Sequence, residues 1–137
     1  MEQYAAYDQR LPGGKTLGQE LLTPTRIYHE SLHVAATCTV HGMCHVTGGG
    51  LLNFKRLSPF GFTFDTPITP PAIFSWMQET GKISTVEMYR TFNMGMGYTY
   101  VVPSTSVDQV LHKVKGAQVV GSVVQKPGAW LGDIEIT

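Results

Sequence analysis

The chain lacks the features that mark several large classes of protein. Its 137 residues carry 10 basic and 10 acidic side chains, so it has no net charge at pH 7 and no excess of basic groups for binding nucleic acid. No apolar run approaches the ~18 residues that a membrane span needs. Residues 1–4 lack the basic and apolar regions of a signal peptide. We therefore expect a cytoplasmic protein that binds neither nucleic acid nor membrane.

Metal-binding and hydrolytic patterns are also scarce. The two cysteines, Cys38 and Cys44, form no C-x-x-C pair and are expected to be free thiols. His29 and His33 lie four residues apart, which leaves a structural zinc site as an alternative interpretation. Strand alternation, however, places Cys44 and His45 on opposite faces, and no H-E-x-x-H pattern or Ser-His-Asp set is present. We predict no metal site and no hydrolytic centre.

The hydrophobic pattern predicts an α+β fold, a layered α/β sandwich in which helices pack on a mixed, mostly antiparallel sheet. We interpret residues 1–137 as one domain with residues 1–22 as a leader arm that includes a short helix near residues 17–21. A first long helix is predicted to begin at Thr23 and Pro24, with an apolar stripe of Tyr28, Leu32, Ala35 and Ala36. Further helices are predicted at residues 51–57, 70–81, 84–92 and 107–114. Strands are predicted at residues 39–46, 60–65 and 98–102, and residues 119–125 and 130–136 are predicted to form a hairpin.

The glycine run Gly48, Gly49 and Gly50 is the most informative feature of the sequence. Three glycines weaken any regular element, so the run indicates a close approach of the backbone or a need for positive φ. It joins the strand that ends near His45 to a short helix, where free N–H groups and the Thr47 hydroxyl favour a phosphate group. The alternative is a tight connection that needs small residues. No Gly-Lys-[Ser/Thr] follows, so the run is not a Walker A loop.

A second polar and glycine-bearing segment lies forty residues further on. It includes Arg90, Thr91, Asn93 and Gly95, at the junction of a predicted helix with a strand. A helix that ends with a basic residue and a glycine would explain Arg90 and Gly95. It explains Asn93 less well, and we interpret the segment as a polar strip that lines a ligand cleft.

These motifs, in this order, resemble the carboxyl-terminal domain of aminoimidazole ribonucleotide synthetase (phosphoribosylformylglycinamidine cyclo-ligase). The resemblance covers nearly the whole chain and is carried by residues 14–28, 45–51 and 87–97. His45 favours the cyclo-ligases over the selenophosphate synthetases, which usually carry an aspartate there that helps to hold Mg²⁺, because imidazole is a poor ligand for that ion.

The resemblance implies a function in purine biosynthesis. In that family ATP activates the formyl oxygen of formylglycinamidine ribonucleotide, an internal nitrogen closes the imidazole ring, and the enzymes are dimers of two-domain subunits. It implies a catalytic role for His45 and contacts to the ribonucleotide or its phosphate from a set of polar and glycine residues. That set is Thr47, Gly48, Gly49, Gly50, Asn53, Arg90, Thr91, Asn93 and Gly95, with Arg56 nearby.

The chain also departs from the family. We find no counterpart of the amino-terminal domain that binds ATP and Mg²⁺, or of the segment that opens the carboxyl-terminal domain. We therefore expect the chain alone to bind neither ATP nor Mg²⁺, to be inactive, and to need a partner that carries the missing half. The missing opening strand should leave an unpaired sheet edge, which predicts self-association, most simply as a homodimer. The alternative is a stand-alone binding or regulatory module without catalysis.

Overall fold

The computed structural model describes residues 6–136. Within that range the helices and strands are short. The helices are α1 (Leu17–Leu21), α2 (Glu30–Thr37), α3 (Ala72–Gly81), α4 (Thr85–Thr91) and α5 (Val107–Lys113), with 3₁₀-helices at Gly50–Arg56 and Ser104–Ser106. The strands are β1 (Gly42–His45), β2 (Gly61–Phe64), β3 (Tyr98–Val101), β4 (Ser122–Val124), β5 (Gly128–Leu131) and β6 (Ile134–Glu135). No helix among these residues has the length and apolar character that a membrane span requires.

The strands form two sheets. β1 and β3 pair antiparallel, with His45 opposite Tyr98, and the second sheet has the order β4-β2-β5-β6. Only the β2–β5 pair is parallel, and the β2–β4 and β5–β6 pairs are antiparallel. Helices packed with mixed, mostly antiparallel strands confirm the predicted α+β class.

The predicted hairpin at the end of the chain is wrong. β4 and β5 do not pair, because β2 lies between them. Phe62 and Phe64 make β2 strongly apolar and both are buried, so the central position, covered on both edges, suits it. The connection from β4 to β5 passes over the start of β2, where a Cβ on Gly61 would lie 1.8 Å from the Lys126 carbonyl oxygen. The hairpin that does form joins β5 to β6 through Gly132.

The first long helix begins later than predicted. It starts at Glu30 instead of residue 24, and Leu32, on its predicted apolar stripe, is 77% exposed. The Thr23 hydroxyl donates to the Gln19 carbonyl at 3.1 Å and does not cap a helix. The aromatic ring of Tyr28 packs against the β1–β3 sheet, so its tertiary contacts outweigh the local helix signal.

The segment before this helix is ordered where the structure describes it. Residues 1–5 of the predicted leader arm lie outside the described residues. In the rest, α1 confirms the predicted short helix and begins with a capping box between Thr16 and Gln19. Leu11 and Leu17 are buried, and backbone hydrogen bonds within the segment, such as that from the Leu17 N–H to the Gln9 carbonyl at 2.8 Å, hold it together.

Two apolar clusters form the core. The larger surrounds Leu51, Met88 and Ile136 and joins the 3₁₀-helix, α4 and the four-stranded sheet. The smaller is formed by Val34, Val110 and Val114, where α2 meets α5. Each fully buried side chain of this size contributes about 1.5–3 kcal/mol to folding, so the larger cluster fixes the 3₁₀-helix against α4.

Candidate functional site

The glycine run forms a tight turn between β1 and the 3₁₀-helix. Gly49 has φ +95° and Gly50 has φ +49°, conformations that side chains with a Cβ rarely adopt. A Cβ on Gly50 would also lie 2.2 Å from the Tyr89 carbonyl oxygen and 2.7 Å from that of Phe92. The fold itself therefore requires glycine at these two positions, since the turn rests directly on the end of α4.

Gly48 differs from its two neighbours. Its φ lies outside the left-handed region, and a Cβ there would meet no atom of the described residues within 4 Å. Gly48 and Thr47 are both exposed. Neither a left-handed backbone conformation nor packing against residues 6–136 requires a glycine here.

The turn keeps a small set of free hydrogen-bond donors. The Gly49 N–H donates to the Thr91 carbonyl at 3.2 Å, and the Gly50 N–H donates to the Thr47 carbonyl at 3.2 Å. The N–H groups of Thr47 and Gly48 donate to no acceptor within residues 6–136, and the Thr47 hydroxyl also lacks a partner in that range. These three exposed donors suit an anion such as a phosphate oxygen.

Asn53 holds the turn from beneath. Its side chain is 4% exposed, and its Nδ2 donates to the carbonyls of Gly50 at 2.8 Å and Gly48 at 3.3 Å, with a longer contact to Thr47 at 3.5 Å. Its Oδ1 accepts from the Arg56 guanidinium. The structure therefore makes Asn53 a positioning residue, because its carboxamide faces the backbone of the turn.

The second predicted motif meets the first in space. Nδ2 of Asn93 donates to the Val46 carbonyl at 3.3 Å, and its Oδ1 accepts from the Gly95 N–H at 2.9 Å. The Gly49–Thr91 hydrogen bond gives a further link, so segments forty residues apart form one surface. Gly95 has φ +91° and packs against Pro71 and Ile68.

The last turn of α4 brings a basic residue, Arg90, next to the glycine turn. Arg90 is exposed and forms no ion pair with a described residue, whereas the Thr91 hydroxyl donates to the Glu87 carboxylate at 2.9 Å. The backbone of Arg90 lies against Gly50. The residues around the turn thus supply N–H groups, a hydroxyl and guanidinium groups.

His45 lies at the end of β1, two residues before Thr47, and is exposed. Its ring packs against Tyr28 with centroids 5.7 Å apart and against Tyr98 at 6.1 Å. The Tyr28 hydroxyl lies over Gly97, where a Cβ would be 1.9 Å away. The sequence reasoning missed these tyrosines as neighbours of His45, although pairing the two predicted strands would have placed Tyr98 opposite His45.

The donor chemistry of the surface suits an anion and does not suit a divalent cation. No three His, Cys, Asp or Glu side chains come together in the part of the chain that the structure describes. Mg²⁺ prefers oxygen ligands from carboxylates and water, whereas the groups at the turn are donors of hydrogen bonds. Burial raises the pKa of the Cys44 thiol, which disfavours the thiolate needed for nucleophilic catalysis.

A cavity bordered by described residues lies away from the glycine turn. It has a volume of about 590 Å³ and lies beside β3, β4 and α5. Of the predicted site residues only Gly95 lines it. The other predicted site residues lie outside this cavity.

A family comparison matches most of the chain. The family model described as AIR synthase related protein, C-terminal domain, matches residues 2–131. The chain belongs to this family, as the resemblance found in the sequence predicted.

Several similar proteins share one name. The chain is 46% identical over 121 residues to a phosphoribosylformylglycinamidine cyclo-ligase of Methanococcoides burtonii, a match that covers 88% of the chain and 36% of the relative. Proteins with this name from Methanosarcina acetivorans (46% over 111 residues, 81% of the chain and 33% of the relative) and Pseudothermotoga lettingae (45% over 118 residues, 80% and 35%) are also similar. The chain spans about a third of the length of these relatives.

Proposed function

We propose that this chain is the substrate-side domain of an ATP-dependent ligase that closes the imidazole ring of aminoimidazole ribonucleotide from formylglycinamidine ribonucleotide in purine biosynthesis. The observation that carries the proposal is the 46% identity to cyclo-ligases over most of the chain. The two joined turns support it, because they present donors for a phosphate group on a surface built around glycines.

The residues divide into two roles in this proposal. The exposed donors of Thr47 and Gly48 bind phosphate oxygens of the ribonucleotide, and Arg90 adds positive charge beside them. Gly49, Gly50 and Gly95 let the backbone adopt the turns, while Asn53, Thr91 and Asn93 hold the turns in place through backbone hydrogen bonds.

His45 is the proposed catalytic residue. Its imidazole is exposed on the same surface and packs beside Tyr28 and Tyr98, whose rings also contact each other. An imidazole in a fixed orientation can transfer a proton during ring closure. The two tyrosines act as positioning residues for it.

ATP and Mg²⁺ belong, in this proposal, to a second half that carries the nucleotide-binding residues. The turns of this chain supply hydrogen-bond donors for phosphate, and ATP supplies the phosphoryl group that activates the substrate oxygen. We propose that the working enzyme is a cytoplasmic homodimer and that this chain alone is inactive, because positioning and the metal–nucleotide complex supply most of the catalysis in phosphoryl transfer.

Calorimetric titration with formylglycinamidine ribonucleotide, and separately with ATP and Mg²⁺, tests the proposal. We expect the chain to bind the ribonucleotide and not the nucleotide. The variant Gly48→Val should weaken ribonucleotide binding at least about tenfold, since a branched side chain beside the donors would hinder a phosphate, while its Cβ would meet no described atom within 4 Å. Gly81→Ala, at the far end of α3, is the matched control and should leave binding unchanged.

Two results would contradict this function. The first is no ribonucleotide binding by the wild-type chain, and the second is equal binding by Gly48→Val. Ribonucleotide binding that never leads to turnover, even with an added ATP-binding half, would favour a regulatory module.

A further inference from the structure

Tyr28, His45 and Tyr98 form a cluster of three rings at the end of the β1–β3 sheet, called the ring cluster below. The two tyrosine rings have centroids 5.2 Å apart, and the imidazole centroid lies 5.7 Å from that of Tyr28 and 6.1 Å from that of Tyr98. All three distances fall in the range of about 4.5–7 Å that favourable ring pairs show. His45 and Tyr98 are opposite each other in the strand register, so both side chains lie on one face of the sheet.

The ring cluster is accessible to a ligand. His45 is exposed, and Tyr28 and Tyr98 are only half-buried. Within residues 6–136 neither phenol hydroxyl and neither imidazole nitrogen forms a hydrogen bond. Packing alone therefore holds the three rings, and their polar atoms remain open to a ligand or to water.

The ring cluster lies directly before the free donors of the glycine turn. The Val46 N–H donates to the Gly97 carbonyl at 2.9 Å, so the pairing of the two strands continues up to the turn. His45 precedes Thr47 by two residues, which span about 7 Å in an extended chain. A ribonucleotide carries its phosphate and its planar ring at opposite ends of the ribose, so one molecule can contact both the donors and the rings.

Tyr98 is the best-fixed member of the ring cluster. It lies on β3 and contacts Tyr28, His45 and also Tyr100, whose ring centroid is 5.2 Å away. Tyr28 lies in the segment before α2, and the Arg26 guanidinium already lies 5.4 Å from its ring centroid. A side chain on a strand is positioned more precisely than one on a loop, so Tyr98 is the better surface for a planar group.

We propose that the ring cluster binds the planar ring of the ribonucleotide by stacking, with Tyr98 as the residue that determines specificity for it. The donors of Thr47 and Gly48 bind the phosphate of the same molecule. This inference rests on the proposed function and adds a second subsite to the same surface. A ring stacked here lies beside His45, where the proposed proton transfer takes place.

Calorimetric titration with aminoimidazole ribonucleotide and, separately, with ribose 5-phosphate tests the proposal, because only the first ligand carries the ring. We expect the wild-type chain to bind the ribonucleotide at least about fivefold more tightly, the lower end of what stacking on an aromatic side chain contributes. Tyr98→Leu should lose at least about fivefold in affinity for the ribonucleotide and stay within about twofold for ribose 5-phosphate. Tyr98→Phe keeps the ring and should restore ribonucleotide binding. Tyr7→Leu, at an exposed tyrosine before α1, is the matched control and should bind both ligands as the wild-type chain does.

Proton NMR of the bound ligand gives a second measurement that needs no variant. A ligand that stacks on an aromatic ring has its proton resonances shifted upfield by that ring. The imidazole protons of the ribonucleotide should therefore move upfield on binding to the wild-type chain, and its ribose protons should move less. This measurement and the wild-type affinities decide the question even if Tyr98→Leu does not fold.

Several results would overturn the inference. Equal losses for both ligands in Tyr98→Leu would mean that Tyr98 only supports the glycine turn. Equal wild-type affinities for the two ligands, or imidazole protons that do not shift, would mean that the ring stays in water. These results leave the proposed function standing, whereas failure of both ligands to bind would overturn the proposed function and this inference together.

Discussion

Replacement of Asn53 by alanine tests the structural basis of the glycine turn. The carboxamide is almost completely buried, and its strongest contact is the 2.8 Å hydrogen bond from Nδ2 to the Gly50 carbonyl. It also donates to the Gly48 carbonyl and accepts from the Arg56 guanidinium. The variant Asn53→Ala removes all of these interactions at once.

The expected cost follows from these contacts. A buried hydrogen bond contributes about 0.5–1.5 kcal/mol, and one to a charged group contributes about 1.5–3 kcal/mol. Arg56 is exposed, so its guanidinium would be hydrated in the variant. Its hydrogen bond to Asn53 therefore contributes at the lower end of the range for charged groups. We expect the free energy of unfolding to fall by about 2–3 kcal/mol. For a domain of this size the melting temperature should fall by about 6–15 °C.

Urea unfolding followed by the fluorescence of Trp76 and Trp130 measures this loss. Asn53→Asp keeps the shape of the side chain but loses the donor, so it should destabilise at least as much as Asn53→Ala. Gln118→Ala removes an exposed carboxamide with a 3.4 Å contact and should change stability by less than about 0.5 kcal/mol. If Asn53→Ala also stays within about 0.5 kcal/mol of wild type, the carboxamide does not hold the turn and the reasoning is refuted.

Three further outcomes follow from the same structure. Gly50→Ala should lower the free energy of unfolding by at least about 2 kcal/mol in urea titration, because its Cβ would meet a main-chain carbonyl. Gly48→Ala should change the free energy of unfolding by less than about 0.5 kcal/mol. Equal losses in the two variants would contradict the different roles of these glycines. Burial raises the pKa of the Cys44 thiol, so Cys44 should react more slowly than Cys38. Mass spectrometry after treatment with iodoacetamide at pH 8 should find Cys38 alkylated first. The reverse order would be evidence against the burial of Cys44. Burial, with the nearby Glu30 carboxylate, raises the pKa of Tyr100 to about 12, so its contribution to stability is fully present below about pH 10 and is lost as the pH rises toward 12. Absorbance titration of Tyr100→Phe against wild type should therefore remove the last phenol to ionise.

Local signals in the sequence predicted many of the elements. α3 starts after a pair of prolines and ends at Gly81, and α4 begins after a Ser84 side chain that accepts from the Glu87 N–H at 3.2 Å, both as predicted. The Glu87 side chain does not complete a capping box with Ser84, because its carboxylate accepts from the Thr91 hydroxyl at 2.9 Å. Such elements are predictable because their signals involve residues within one helical turn.

Two predictions from the sequence are wrong because of contacts between distant segments of the chain. The first long helix starts late because the ring of Tyr28 packs on His45 and Tyr98, and neither contact is visible in the local pattern around residue 24. β4 and β5 do not form the predicted hairpin because β2, about sixty residues earlier in the chain, pairs with both of them. Pairing partners depend on the whole chain, whereas alternation along a strand does not.

The sequence by itself determined the family, the α+β class and the two segments that carry the proposed site. Order and spacing of short motifs suffice for that, because glycines and polar side chains at the ends of elements are read locally. Only the tertiary structure decided that the two segments touch, through Asn93 and the Gly49 amide, and that Asn53 supports the turn from beneath. Only the tertiary structure distinguished Gly50, which the fold requires, from Gly48, which the fold does not require. The need for a glycine depends on which atoms a Cβ at that position would meet, and the sequence does not show those atoms.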